Sequence, residues 1–277
     1  MATSRPPLQF LEQIVRAKRA ELDLCRRQVP QSELEKRILP RPPGAFRQAL
    51  AAGPGRRACS IIAELKQASP SRGVLCGHYN PAAMALRYQQ AGACALSVLT
   101  EREFFRGSLE HLRQVKAVSS LPVLRKDFTL DEYHLYEAAT AGADAILLIV
   151  AILTPQKLAR LLDLSRVLAL DALVEVHTRE ELHIALDAGS QILGVNNRDL
   201  KTLEVSLATS FELIESIPEE AVAVSESGLR TAEDLERLRA AGFDAFLIGE
   251  RFMREPDPGA ALAALLAEVA KDRQTVD

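Results

Sequence analysis

Tryptophan is absent, and phenylalanine and tyrosine bring aromatics to only 5% of the 277 residues, so a local cluster of rings carries information. Long apolar runs are missing as well. The longest, Ala145 to Leu153, falls far short of the roughly 20 residues that span a bilayer. The N-terminus is charged and broken by Pro6 and Pro7, which leaves no signal-peptide core. Cysteine is sparse and scattered: Cys25, Cys59, Cys76 and Cys94 form no C-x-x-C pair and have no histidine at metal spacing. Free thiols are expected, not a disulfide framework or a zinc site. No histidine belongs to an H-E-x-x-H motif, so no metal is expected. Strong charge of one sign is lacking too, since a net charge of −3 supplies no basic field for nucleic acid or an anionic membrane. The expectation is a cytoplasmic chain with neither of those partners.

What is present is a repeat. Four segments share a helix-like stretch that runs into a glycine and then an apolar run: AGACALSVLT from Ala91, AGADAILLIV from Ala141, DAGSQILGVN from Asp187 and AGFDAFLIGE from Ala241. They recur about every fifty residues, which suits two βα units per period. The glycine can close a helix in the left-handed conformation before the chain turns into a strand. Between them lie four more apolar runs, SIIAELKQASPS from Ser60, LPVLRKDF from Leu121, ALVEVHT from Ala172 and AVAVSESG from Ala221, making eight strands. Helix starts separate them: Asn80-Pro81, Thr154-Pro155 and Asp257-Pro258 each set a capping side chain before a proline, and Thr178 with Glu181 spells a capping box.

Eight alternating units favour an α/β fold of the (β/α)₈ (TIM) barrel type over an open sheet, in which G-x-G-x-x-G would usually follow the first strand. The barrel is assigned to residues 59–277 and an N-terminal helical extension packed on it to residues 1–58, together one domain. Within the extension, Phe10 to Gln28 reads as an amphipathic helix, with further helical stretches at Glu33 to Leu39 and Ala45 to Ala52. Whether the extension covers the barrel's bottom or its mouth is open at this level.

Active sites of such barrels lie where the strands end. Glu64 and Lys66 share one face at the end of the first strand, about 7 Å apart along the backbone; they form either a buried ion pair or a catalytic pair. Lys126 and Glu175 face the same mouth. A lysine there can be a general acid, a Schiff-base former or an anion holder, and a glutamate can be a base. Asn196, Asn197 and Arg198 could orient hydroxyls or an anion, although Arg198 could equally form a rim salt bridge. Gly228 in SESGL and Gly249 in LIGE follow the last two strands, where these barrels bind phosphate through backbone N–H groups. A small phosphorylated molecule, a sugar derivative, is therefore the expected partner. Phe104, Phe105 and Phe128 sit just past strand ends, where they line a pocket or pack beneath loops.

Taken together, IIAELKQASPSRG, SVLTEREFFRGS, PVLRKDF, ADAILLIVAIL, ALVEVHT, GVNNRDL, AVSESGL and FLIGERFM resemble the successive strand-end motifs of the indole-3-glycerol-phosphate synthase family, from about Phe10 to Ala270. The resemblance implies ring closure, decarboxylation and dehydration of 1-(2-carboxyphenylamino)-1-deoxyribulose 5-phosphate, a step of tryptophan biosynthesis, without cofactor or metal. A monomer is expected, although the sequence itself leaves the oligomeric state and contacts with neighbouring pathway enzymes open. It implies that Lys126 is the general acid and Glu175 the general base. It gives Lys66 the substrate carboxylate or phosphate, and Glu64 and Asn196 the positioning of sugar hydroxyls and lysines. Ser69, Arg198, Glu226 and Ser227 match family binding positions, Phe105 and Phe128 match the wall around the anthranilate ring, and Gly228 and Gly249 match the phosphate loops. Glu250 departs from members that have serine there, so only its backbone is expected at the phosphate, with its side chain turned away. Other phosphate-binding barrels, such as phosphoribosylanthranilate isomerase or a Schiff-base aldolase, and a non-catalytic binding barrel are the competing readings.

Overall fold

The computed structural model describes residues 7–38, 40–51, 59–70, 72–200 and 202–274. Eight strands, β1 (Ser60–Leu65), β2 (Ala95–Leu99), β3 (Val123–Lys126), β4 (Ala145–Ile149), β5 (Asp171–Val176), β6 (Ile192–Asn196), β7 (Val222–Glu226) and β8 (Ala245–Ile248), close into one barrel with β1 beside β8. Every neighbouring pair is parallel. All eight expected strands are present, and helices separate them as a parallel sheet requires. Gly92, Gly142, Gly189 and Gly242 carry φ values of 98°, 89°, 78° and 119°, so the repeated glycines do supply the left-handed turn between helix and strand.

Asn80 and Thr154 cap their helices by accepting from Ala83 N and Lys157 N, and Asp257 accepts from Gly259 N and Ala260 N. The box expected at Thr178 and Glu181 is half made. Thr178 accepts from Glu181 N, whereas the Glu181 carboxylate takes the N–H of His177 at 2.7 Å, one residue earlier than a box requires.

Alternation along the strands sorts their residues into two apolar layers. Ile61, Ala63 and Leu65 face the helices, whereas Ile62, Leu124, Leu147, Leu173, Val224 and Leu247 fill the barrel. Extending the inner rows by two residues leads to Glu64, Lys126, Glu175, Glu226 and Gly249. The same periodicity that builds the core therefore delivers its next layer to the mouth.

The extension does two jobs. Phe46 and Leu50 of helix α3 (Ala45–Leu50) are wholly buried within the inner cluster, and Arg47 N donates to Asp171 at the start of β5, so α3 plugs the bottom of the barrel. Helix α1 (Pro7–Gln28) instead climbs the wall. Its Tyr133 contacts, at Cys25 O and Val29 O, hold its end, while Phe10 meets Phe104 edge-on with centroids 5.3 Å apart near the mouth. Helix α2 (Gln31–Glu35) is shorter than the expected Glu33 to Leu39 stretch. Pro40, Pro42 and Pro43 oppose helix on their N-terminal side. Leu39 and Ala52, the expected ends of the two short helices, lie outside the described residues. Among the described residues no helix is long and apolar enough to cross a membrane, and none of the four cysteines is joined in a disulfide.

Candidate active site

The mouth of the barrel opens into a cavity of about 890 Å³ whose wall includes Glu64, Lys66, Phe105, Lys126, Phe128, Glu175, Asn196, Arg198, Glu226, Ser227, Gly228, Gly249 and Glu250. At its floor, Lys126 Nζ lies 2.9 Å from Glu175 Oε2 and 2.5 Å from Glu226 Oε2. Strand register sets the levels of the two acids. Glu175 is level with Gly194, and Asn196 with Glu226. Glycine at that level leaves Glu226 its place, since a Cβ on Gly194 would meet the Glu226 carboxylate and displace it. Asn196 Nδ2 donates to Glu175 Oε1 at 3.0 Å while its oxygen accepts from Arg198 N. Glu64 and Lys66 pair at 2.6 Å, so the sharing of one face expected from spacing is realised, on the cavity wall.

These carboxylates are buried but differ electrostatically. Burial would raise the Glu175 carboxyl, yet Lys126, His177 and Asn196 outweigh it and hold Glu175 well below the usual range, ionised at neutral pH. Burial pushes Glu226 up to about 7, with Lys126 opposed by the charges of Glu175 and Glu64. Its Oε1 has no hydrogen-bond partner. Burial likewise disfavours the Lys126 ammonium, but Glu175, Glu226 and Glu64 overcome this and keep it protonated. Environments that push two carboxylates apart in this way equip one as base and leave the other able to carry a proton.

Phe105 and Phe128 face one another across the apolar wall, centroids 6.2 Å apart, whereas Phe104 turns to Phe10 and is absent from the cavity wall. The Phe105 loop is held from below. The buried Glu101 carboxylate accepts the N–H groups of Glu103, Phe104 and Phe105 at 2.8 to 3.0 Å. After β7, Ser227 and Gly228 both take left-handed backbone, with φ 67° and 81°. Such a serine costs on the order of 1–3 kcal/mol, strain that clusters at ligand clamps. A Cβ on Gly249 would strike the Glu64 carboxylate, so that glycine brings the end of β8 against the acid–base cluster.

Ser69 is buried with its Oγ unpartnered and does not reach the cavity wall. Glu250, expected to turn away, lines the cavity instead. Its carboxylate lies 3.4 Å from Arg72 and 3.6 Å from Arg198 and Arg254, because three arginines at the rim offer it the nearest positive charge. For Arg198 the rim salt bridge is therefore real, and the residue also lines the cavity.

His177 was not singled out from sequence, although it lies two residues beyond Glu175. It sits 3.3 Å from Glu175 Oε1 and 3.1 Å from Glu181 Oε2. Burial would lower its pKa, but those two partners raise it to about 10. The alternation of ALVEVHT, which puts positions 175 and 177 on one face, was the available signal. Arg72 was missed for lack of any; its reach across the mouth depends on the short hairpin of Ala68–Ser69 with Gly73–Val74. Among the described residues, no group of three or more histidines, cysteines or carboxylates is placed to hold a metal ion.

A closed parallel barrel that gathers lysines, carboxylates of divergent acidity and an aromatic wall at its C-terminal face defines a (β/α)₈ protein with an acid–base site. Residues 11–265 match the family described as indole-3-glycerol phosphate synthase. Curated relatives of that name include those of Carboxydothermus hydrogenoformans, 44% identical over 93% of this chain and 100% of the relative, and Albidiferax ferrireducens, 46% identical over 93% and 98%. The relative from Chlorobium chlorochromatii is 48% identical over 88% and 95%. The chain belongs to the indole-3-glycerol phosphate synthase family. Among solved structures, a thiamine phosphate pyrophosphorylase from Pyrococcus furiosus aligns with TM-score 0.58 at 14% identity, over 78% of this chain and 96% of that one, a likeness of fold alone.

Proposed function

We infer that the chain is a carboxy-lyase of tryptophan biosynthesis, converting 1-(2-carboxyphenylamino)-1-deoxyribulose 5-phosphate to indole-3-glycerol phosphate with loss of carbon dioxide and water. The observation that carries the site assignment is Lys126 Nζ held between Glu175 and Glu226 on the floor of an aromatic-walled cavity. As the ring carbon attacks the ketone, Lys126 gives a proton to the developing alkoxide. The attack makes a cationic ring, and the carboxylates of Glu64, Glu175 and Glu226 favour positive charge there. Carbon dioxide then leaves and restores aromaticity. Dehydration needs a base and an acid together: Glu175, held ionised, takes the proton that the substrate gives up, while a lysine of the cavity, Lys66 or reprotonated Lys126, donates a proton to the hydroxyl, which then departs as water.

Phe105 and Phe128 would flank the anthranilate ring, with Lys66 on the substrate carboxylate or phosphate. Asn196 and Glu64 would order the sugar hydroxyls and the lysines, and Arg198, Glu226 and Ser227, all on the cavity wall, would complete the binding set. Phosphate would rest on the backbone N–H groups of Gly228, Gly249 and Glu250, where the two glycines allow close approach. The enzyme would act as a cytoplasmic monomer, which sedimentation velocity checks.

Adding the substrate to purified protein and following indole fluorescence tests the reading. A saturable rise, abolished in Lys126→Ala, is expected. No rise from a folded protein that still binds the substrate would overturn it in favour of a binding barrel, and borohydride trapping of a covalent adduct would point to a Schiff-base aldolase.

A further inference from the structure

Behind the floor of the site, on the outer side of β3, lies a second set of charges that the reaction does not touch. Lys126 points into the barrel, so its neighbours Arg125 and Asp127 point out, and both are almost fully buried, at 2% and 3% exposure. Four donors converge on the Asp127 carboxylate: Lys18 Nζ at 2.8 Å, Thr100 Oγ1 at 2.6 Å, Arg125 at 3.1 Å and its own neighbour Phe128 N at 2.8 Å. Arg125 is fixed in turn by His134 O at 2.7 Å and Glu137 at 3.1 Å. Three of those donors come from the barrel itself. The fourth, Lys18, comes from α1, is only 3% exposed, and is steadied by Glu21 at 2.8 Å.

We propose that Lys18 of the N-terminal helix is a positioning residue for the reaction, acting through Asp127 to fix the end of β3 and so the place of Lys126 Nζ. The proposal rests on the role given to Lys126 above. An ammonium buried at this depth on a peripheral helix is costly unless it is paired, and its partner here is the residue next to the proton donor. Through Phe128 N the same carboxylate also sets the ring that walls the cavity. Without Lys18, Asp127 keeps Arg125 and Thr100, so the strand end shifts while the barrel persists. A displacement of about 1 Å at a reacting group can lower a rate by about 10²-fold.

The test compares wild-type protein, Lys18→Met and Lys18→Arg as full-length chains, by indole fluorescence and by thermal unfolding. Lys18→Met is expected to lose about 10- to 100-fold in kcat with KM changed less than about threefold. Lys18→Arg, which keeps the charge but puts a wider planar guanidinium where the single ammonium met Asp127, is expected to show an intermediate kcat, lowered about two- to tenfold, with Tm near wild type. A folded Lys18→Met with wild-type kcat, or one whose loss lies only in KM, would overturn the proposal. So would an unfolded Lys18→Met together with Lys18→Arg at wild-type kcat, since the lysine would then serve stability alone. Failure of wild-type protein to turn over the substrate would strike the reaction assignment instead, and the two failures are thus told apart.

Discussion

Replacing Lys126 by methionine, which keeps most of its volume, separates chemistry from electrostatics. The substitution removes the ammonium that lies 2.9 Å from Glu175 and 2.5 Å from Glu226. Loss of the acid is expected to lower kcat by about 10²–10⁴, roughly 3 to 5 kcal/mol of transition-state stabilisation. Loss of the counter-charge leaves buried carboxylates unpaired, which costs about 3 to 5 kcal/mol of stability at neutral to alkaline pH. At about 2.1 cal/mol/K per residue, a chain of 277 residues unfolds with roughly 0.6 kcal/mol/K, so Tm should fall by about 5 to 9 °C at pH 8. The deficit must depend on pH. Glu226 has its carboxyl raised to about 7 even with Lys126 present, and removing the lysine raises it further. A carboxyl raised in the folded state favours folding at low pH and ceases to do so as pH climbs through the folded value. The Tm deficit should therefore shrink by about half or more at pH 5.5, where Glu226 is protonated, while kcat stays low. Calorimetry from pH 5.5 to 8, alongside single-substrate kinetics, reads both quantities. A constant Tm deficit would refute the account of the carboxylates, and wild-type turnover would remove Lys126 from the chemistry.

Glu175→Gln should lower kcat over a similar range, about 10²–10⁴, and let an undehydrated intermediate accumulate in quenched reactions; product kinetics like those of wild type would take Glu175 out of the mechanism. Gly249→Ala should raise KM at least about tenfold and cost about 1–3 kcal/mol of stability, because the new methyl group meets the Glu64 carboxylate; an unchanged KM would mean that Glu64 can yield without consequence. For His177, raised to about 10 by Glu175 and Glu181 against the effect of burial, the stabilisation is complete below about pH 6.5 and fades as pH rises to 10. Wild-type Tm should thus drop by several degrees from pH 7 to 10, and His177→Asn should lose that part of the drop. Parallel curves for the two proteins would show that the imidazolium is not what stabilises the fold there.

Much of the site was legible because strand periodicity is a one-dimensional property. Residues two apart share a face whatever lies opposite, so Glu64 with Lys66, and the rows ending in Lys126 and Glu175, could be assigned to the mouth before any contact was known. The left-handed glycines after the helices are likewise a local matter of backbone and spacing, whereas spacing left Phe104, Phe105 and Phe128 alike and only the family resemblance set Phe105 and Phe128 at the wall. The helices of the extension were readable as helices, though proline ended α2 earlier than apolar spacing suggested.

Sequence by itself thus determined the eight strand–helix units, the ends at which reactive groups gather, and the family. Only the tertiary structure decided which groups pair. The Lys126 contact with Glu226 joins residues 100 positions apart and depends on how β3, β5, β6 and β7 curve round until they face one another, with Gly194 leaving the space. Glu250 turns to Arg72 and Arg198 because loop ends converge over the mouth, and Lys18 finds Asp127 across 109 positions because α1 lies along the wall. Those distances, and the divergence of Glu175 and Glu226 that follows from them, arise from burial and Coulomb interaction between distant segments, which no local pattern encodes.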